Sequence, residues 1–202
     1  MLPTVINSHR LERIQQFFAA ATYDASAAMC RWTNGQIKLS LDEVREIPFE
    51  EVSQTLGIGD ERLTMVVLTL EGVLGGTIVL AFDDENGREL AASLLGRPCD
   101  HSAQWTALEQ SALNETGNIL SCAYMNALTR LIDAQLVPSP PLFIQDFGAS
   151  VLQQALLPQV GEVDEAMIFR TDFQRAGQQL QWSMLFVPTV PLRNALMNAF
   201  DA

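Results

Sequence analysis

The sequence predicts an α+β fold: a pseudo-twofold duplicated helix-strand-helix-hairpin-helix unit around an antiparallel or mixed sheet, with two long helices in equivalent places. Three observations lead there. Two stretches, 10–32 and 106–131, carry apolar residues at helical spacing. Each is followed by a strand, a short helix, two hairpin strands and a closing helix, in the same order. The strands connect through tight turns and give few βαβ signals, which points away from an all-parallel sheet.

The first helix, over 10–32, has Ser8 as a cap and small residues at Ala19–Ala21 and Ala25–Ala28. Asn34 and Gly35 stop it. A strand over 36–47 begins with alternation, Ile37, Leu39 and Leu41 opposite Lys38, Ser40 and Asp42. Pro48 then suits the first position of a helical turn. Runs 62–70 and 76–82 are rich in β-branched and large apolar residues and form a hairpin turning at 72–75. Asp83 and Asp84 cap a helix to Leu95, closed by Gly96 and Pro98.

The second half repeats this order. After the helix over 106–131, Pro138, Pro140 and Pro141 impose an extended segment. A strand over 142–146, a helix over 149–157, a hairpin of 166–173 and 180–187, and a helix over 191–200 complete it. An offset of 99 superimposes the long helices, and an offset of 106 superimposes 74–82 on 180–188. The expectation is one domain made of two structural repeats, about 8–97 and about 103–202.

Composition narrows the function. The chain has 202 residues, 48% of them hydrophobic, so a sizeable interior can form. Asp and Glu number 24 against 12 Lys and Arg, a formal charge of −12. Nucleic acid and anionic membrane surfaces need basic patches, so neither is an expected partner. No apolar run approaches the roughly 20 residues of a membrane span, and no charged segment precedes an apolar core at the start. Cys30, Cys99 and Cys122 are an odd number without metal spacing and read as reduced, inertly packed thiols, which fits a cytoplasmic protein. His9 and His101 lack ligand partners at a recognised spacing, so no metal site is expected. The glycines at 72, 75 and 76 lie between strands and form a turn, not a phosphate loop.

Chemistry concentrates on the helix over 106–131. At about 100° per residue, Ser111, Glu115 and Asn118 fall in one stripe, with Cys122 next. Ala112, Leu113, Leu120, Ala123, Tyr124, Ala127 and Leu131 gather opposite. The helix therefore presents a carboxylate and a carboxamide outward. Gly117 stands mid-helix, where glycine costs about 1 kcal/mol relative to alanine. Its missing side chain would let another protein's backbone approach Asn118.

The spacing Ser or Asp, three residues, Glu, two residues, Asn, and a proline 23 positions after the Asn resembles the signature of the CheC and CheX type phosphatases of bacterial chemotaxis. Here it reads Ser111, Glu115, Asn118 and Pro141. The resemblance implies an enzyme that hydrolyses the aspartyl-phosphate of a CheY-like response regulator, with Asn118 orienting water and Glu115 pairing with the regulator's lysine. Ser111 and Gly117 would be contact residues, and Pro141 would shape the supporting strand. The phosphorylated receiver domain would be the partner and would supply Mg2+, so this chain needs no cofactor of its own. A CheD-like partner and a homodimer stay open. The alternative is a non-catalytic interaction module of the CheC or flagellar-switch type, binding a response regulator or motor component. In the first half the corresponding positions are Glu12, Gln16, Ala19 and Asp42. Ala19 cannot orient water, which implies one active site and one degenerate counterpart. Ala19 and Tyr23 imply burial against the protein itself or a dimer contact, with plain burial or a weak contact the favoured expectation.

Overall fold

In the computed structural model, residues 8–101, 104–157, 165–175 and 177–201 are described, without the side chains of 8–11, 56, 178 and 181. Helix α1 (Ser8–Trp32) leads to β1 (Ile37–Pro48), a 3-10 turn at Phe49–Glu51 and the short helix α2 (Val52–Leu56). The hairpin of β2 (Arg62–Glu71) and β3 (Gly76–Phe82) follows, then α3 (Asp84–Leu95). The second half holds α4 (Ala107–Ile132), β4 (Val137–Pro138), β5 (Leu142–Phe147), α5 (Gly148–Leu156), β6 (Glu165–Arg175), β7 (Gln178–Pro188) and α6 (Val190–Asp201). The cap expected of Ser8 concerns a side chain outside the described residues.

Local chemistry places the boundaries. Asp83 accepts a hydrogen bond from the Asn86 amide at 2.8 Å and starts α3. Gly96, at φ 62°, ends α3 in the left-handed conformation that a side chain disfavours. The proline segment is extended, as its composition predicts. Val137 and Pro138 pair with Glu71 and Leu70, and the Ser139 amide donates to the Thr69 carbonyl at 2.7 Å.

Every strand pairing among the described residues is antiparallel. The order is β1-β6-β7-β3-β2, with β4 and β5 both bonded to the far side of β2. The two halves exchange their first long strands. β1 pairs with β6 of the second half, and β5 pairs with β2 of the first. β3 and β7 meet at the centre, where Val79 stands opposite Leu185. Those two residues differ by the same 106 positions that superimpose the hairpins, so the pseudo-twofold axis passes between them.

Alternation along the strands creates two buried faces. Val66, Leu68, Leu80, Phe82, Met184 and Phe186 pack under α1, α4, α3 and α6. Met65, Val79, Ala81, Leu185 and Val187 face the shorter α2 and α5. α1 and α4 lie antiparallel over the first face, Trp32 meeting Thr116 and Thr22 meeting Tyr124.

Candidate functional site

The site begins with how α4 is anchored. Thr106 is its N-cap and forms a capping box with Glu109: the Thr106 hydroxyl accepts from the Glu109 amide, and the Glu109 carboxylate accepts from the Thr106 amide at 2.8 Å. Glu109 is buried and also meets the Arg97 guanidinium at 2.8 Å, which ties the start of α4 to the second residue beyond α3. Burial alone would raise the Glu109 pKa. The hydrogen bonds from Thr106 and the adjacent Arg97 outweigh it and hold the carboxyl below its ordinary range.

The rotation of α4 about its axis is fixed by buried polar contacts. Tyr124 Oη lies 2.7 Å from Thr22 Oγ1 on α1 and 2.8 Å from Thr171 Oγ1 on β6. Burial pushes the Tyr124 phenol above its ordinary pKa, so it remains a neutral hydrogen-bonding group. Trp32 Nε1 donates to Thr116 Oγ1 at 3.1 Å, and Thr116 donates to the Ala112 carbonyl at 3.0 Å. Leu113 and Leu120 are fully buried beside them.

With that side fixed, Ser111, Glu115 and Cys122 are exposed and Asn118 is half-buried on one outward stripe. Among the described residues no hydrogen bond or ion pair engages the Glu115 carboxylate. Cys122 Sγ donates to Asn118 Oδ1 at 3.8 Å. The exposed Cys122 thus departs from the inert packing expected of it. Pro141 is half-exposed between β4 and β5, two short strands that both bond to β2. The ring contact of Phe143 with Trp105, centroids 5.4 Å apart, links β5 to the residue before the α4 cap.

Gly117 corrects the sequence reading. It is buried, and a Cβ built on it would lie 2.5 Å from Val66 Cγ1 on β2. The glycine therefore lets α4 sit close on its own sheet, rather than admitting the backbone of another protein. In the first half the equivalent helix position is Phe18. The strand position equivalent to Val66 is Phe169: Val66 pairs with Leu80, and Phe169 with Phe186 at the 106-residue offset. Phe18 and Phe169 stack with centroids 3.8 Å apart. A bare glycine against valine in one half thus corresponds to two stacked rings in the other.

On the α1 stripe the structure excludes the burial alternative for Ala19 and Tyr23. Glu12, Gln16 and Ala19 are exposed, and Tyr23 is 75% exposed, so neither Ala19 nor Tyr23 is buried. Asp42, in the place of Pro141, is a bulge residue on β1 and accepts a hydrogen bond from Arg170 Nε at 2.6 Å.

The stripe on α4 is a convex helix surface. A polar cleft of about 410 Å³ opens elsewhere, lined by residues that include Arg62, Arg170, Asp172 and Gln179, and it includes none of Ser111, Glu115 or Asn118. Asp172 there is raised by burial, with Asp42 and Glu43 adding to the effect and Arg170 opposing it. Among the described residues no three His, Cys, Asp or Glu side chains group as a metal would require, and no helix is long and apolar enough to cross a membrane. A convex carboxylate and carboxamide can enter a cavity in a partner, whereas they cannot enclose a small molecule.

No family model matches the chain. CheY-P phosphatase CheC of Bacillus subtilis is 29% identical over 177 residues, covering 81% of this chain and 80% of that protein. The chain is CheC-like. The CheC1 protein of Halobacterium salinarum is 20% identical over 198 residues, spanning 98% of the CheC-like chain and 100% of the relative. Among solved structures, FliY of Thermotoga maritima superposes with a TM-score of 0.71 at 18% identity, covering 98% of each chain. That likeness shows the fold of the CheC-like chain and leaves its chemistry to its own residues.

The capping box was present in the sequence as Thr106-Ala-Leu-Glu109 and is the one supporting feature a local pattern could have revealed. The Trp32–Thr116 and Thr22–Tyr124–Thr171 contacts join residues too distant for any spacing rule.

Proposed function

We propose that this chain is a phosphatase for the aspartyl-phosphate of a CheY-like response regulator. The observation that carries the reading is the joint presentation of Glu115 and Asn118 on one outward stripe of a helix held rigidly from beneath. The similarity to a named CheY-P phosphatase over four-fifths of both chains supports it.

Hydrolysis of an acyl phosphate needs a water in line with the scissile P–O bond and compensation of charge on the equatorial oxygens. The regulator's own Mg2+ and lysine supply the compensation. Asn118 enters the regulator's active site and holds the water with its carboxamide, which both donates and accepts. Glu115 pairs with the regulator's lysine and sets the depth and rotation of the helix. Water oxygen bonds to phosphorus, the bond to the aspartyl oxygen breaks with its electrons returning to the carboxylate, and the water's proton passes to solvent. Inorganic phosphate leaves.

The test is to mix the protein with a phosphorylated CheY-like receiver and Mg2+ and to follow phosphate release. Acceleration by the wild type, reduced about a hundredfold in Asn118→Ala, is the expected result. Binding of the phosphorylated receiver without acceleration would replace this reading by that of an interaction module.

A further inference from the structure

We infer that Cys122 is a positioning residue that holds the Asn118 carboxamide in its hydrolytic orientation, an inference that rests on the phosphatase reading above. The two ends of a carboxamide are similar in size and opposite in function, Oδ1 accepting and Nδ2 donating. The torsion that exchanges them is broad, so an asparagine on an exposed helix surface presents either end. Cys122 biases that choice. Its Sγ donates to Asn118 Oδ1 at 3.8 Å from one turn further along the same stripe.

The contact favours the orientation that turns the oxygen toward the C-terminal end of α4. Nδ2 and the second lone pair of Oδ1 are left for water. Cys122 itself is well placed for this. Its neighbour Ser121 is fully buried, and Tyr124, two residues on, is bonded to both α1 and β6. The thiol lies on the exposed stripe, so packing does not account for it. In the degenerate half the two positions change together. Ala19 stands for Asn118 and Tyr23 for Cys122, so where there is no carboxamide to orient there is no thiol to orient it.

The experiment measures steady-state hydrolysis of Bacillus subtilis CheY phosphorylated with phosphoramidate, in Mg2+, by wild type, C122A, C122S, N118A and the N118A/C122A double variant. Equal urea midpoints establish that each variant folds. C122A is expected to lower kcat about fivefold, the worth of one modest hydrogen bond, with KM unchanged. C122S, which keeps a donor, recovers most of that loss. In the N118A background, C122A has no further effect. If N118A is severely impaired while C122A equals wild type, or C122S is as slow as C122A, positioning by Cys122 is refuted and the phosphatase reading stands. A raised KM at constant kcat would make Cys122 a docking contact and refute positioning as well. No acceleration by wild type, or full activity in N118A, overturns both inferences.

Discussion

Glu115 projects into solvent while the next residue, Thr116, is fully buried and bonded to Trp32 of the opposite half. One side chain is thus kept in place by its neighbour's burial. If Glu115 pairs with a receiver lysine, Glu115→Gln weakens a charge-assisted bond and is expected to raise KM about tenfold with a smaller change in kcat. Titrating phosphorylated receiver against the variant checks this; an unchanged KM removes the carboxylate from docking. Gly117 yields a prediction of the opposite kind. Gly117→Ala gains about 1 kcal/mol of helix propensity but forces a methyl to 2.5 Å from Val66 Cγ1. Overpacking costs of about 1–3 kcal/mol leave a net loss of stability, measurable as a lower urea midpoint. The double variant Gly117→Ala with Val66→Ala should recover much of it, since the second change removes the atom the first one strikes.

At the scale of the element, α4 shows how much of a site one helix period can disclose. Ser111, Glu115 and Asn118 share a face because of backbone geometry alone, and the buried state of Leu113, Leu120 and Tyr124 follows from the same turn angle. Gly117 was misjudged because its partner, Val66, belongs to a strand whose register no local pattern reveals. Burial of Tyr23 does not follow from periodicity, which counts an aromatic as apolar, because its place on α1 leaves it 75% exposed; only the surface-contact alternative is compatible with that. The anchoring of α4 has a pH signature. Glu109 is held below its ordinary pKa in the folded protein, so its contribution is complete above the unfolded carboxylate value and is lost as pH falls through the depressed folded value. Urea midpoints compared between pH 7 and pH 3 should therefore fall more in wild type than in Glu109→Gln, which keeps a capping-box acceptor but cannot titrate. Equal pH dependence in the two proteins would show that the ionised carboxylate does not stabilise the start of α4.

For the whole molecule, two similar runs of elements suggest two repeats, about 8–97 and about 103–202, yet the sheet interleaves them. β1 finds its partner in β6 and β5 finds its partner in β2, so each half supplies an outer strand to the other's hairpin. The sequence order contains no trace of this exchange, because an isolated hairpin and an exchanged strand have the same alternating pattern. Severed from its partner, the first half would keep β2 and β3 paired but expose the edge of β3 that bonds β7 and leave β1 with no strand beside it. The apolar face shared by α1 and α4 would also open to water. Residues 1–101 and 102–202, produced separately, are therefore each expected to lack a cooperative urea transition, whereas mixing them should restore the transition and, on the phosphatase reading, receiver dephosphorylation. A half that unfolds cooperatively as a monomer would mean that its own contacts suffice and that the strand exchange is dispensable. Because Asn118 lies in one fragment and the Trp32 and Thr22 supports of α4 lie in the other, activity should return only with the mixture. That dependence would make the degenerate half a structural requirement of the site, even without a carboxamide of its own.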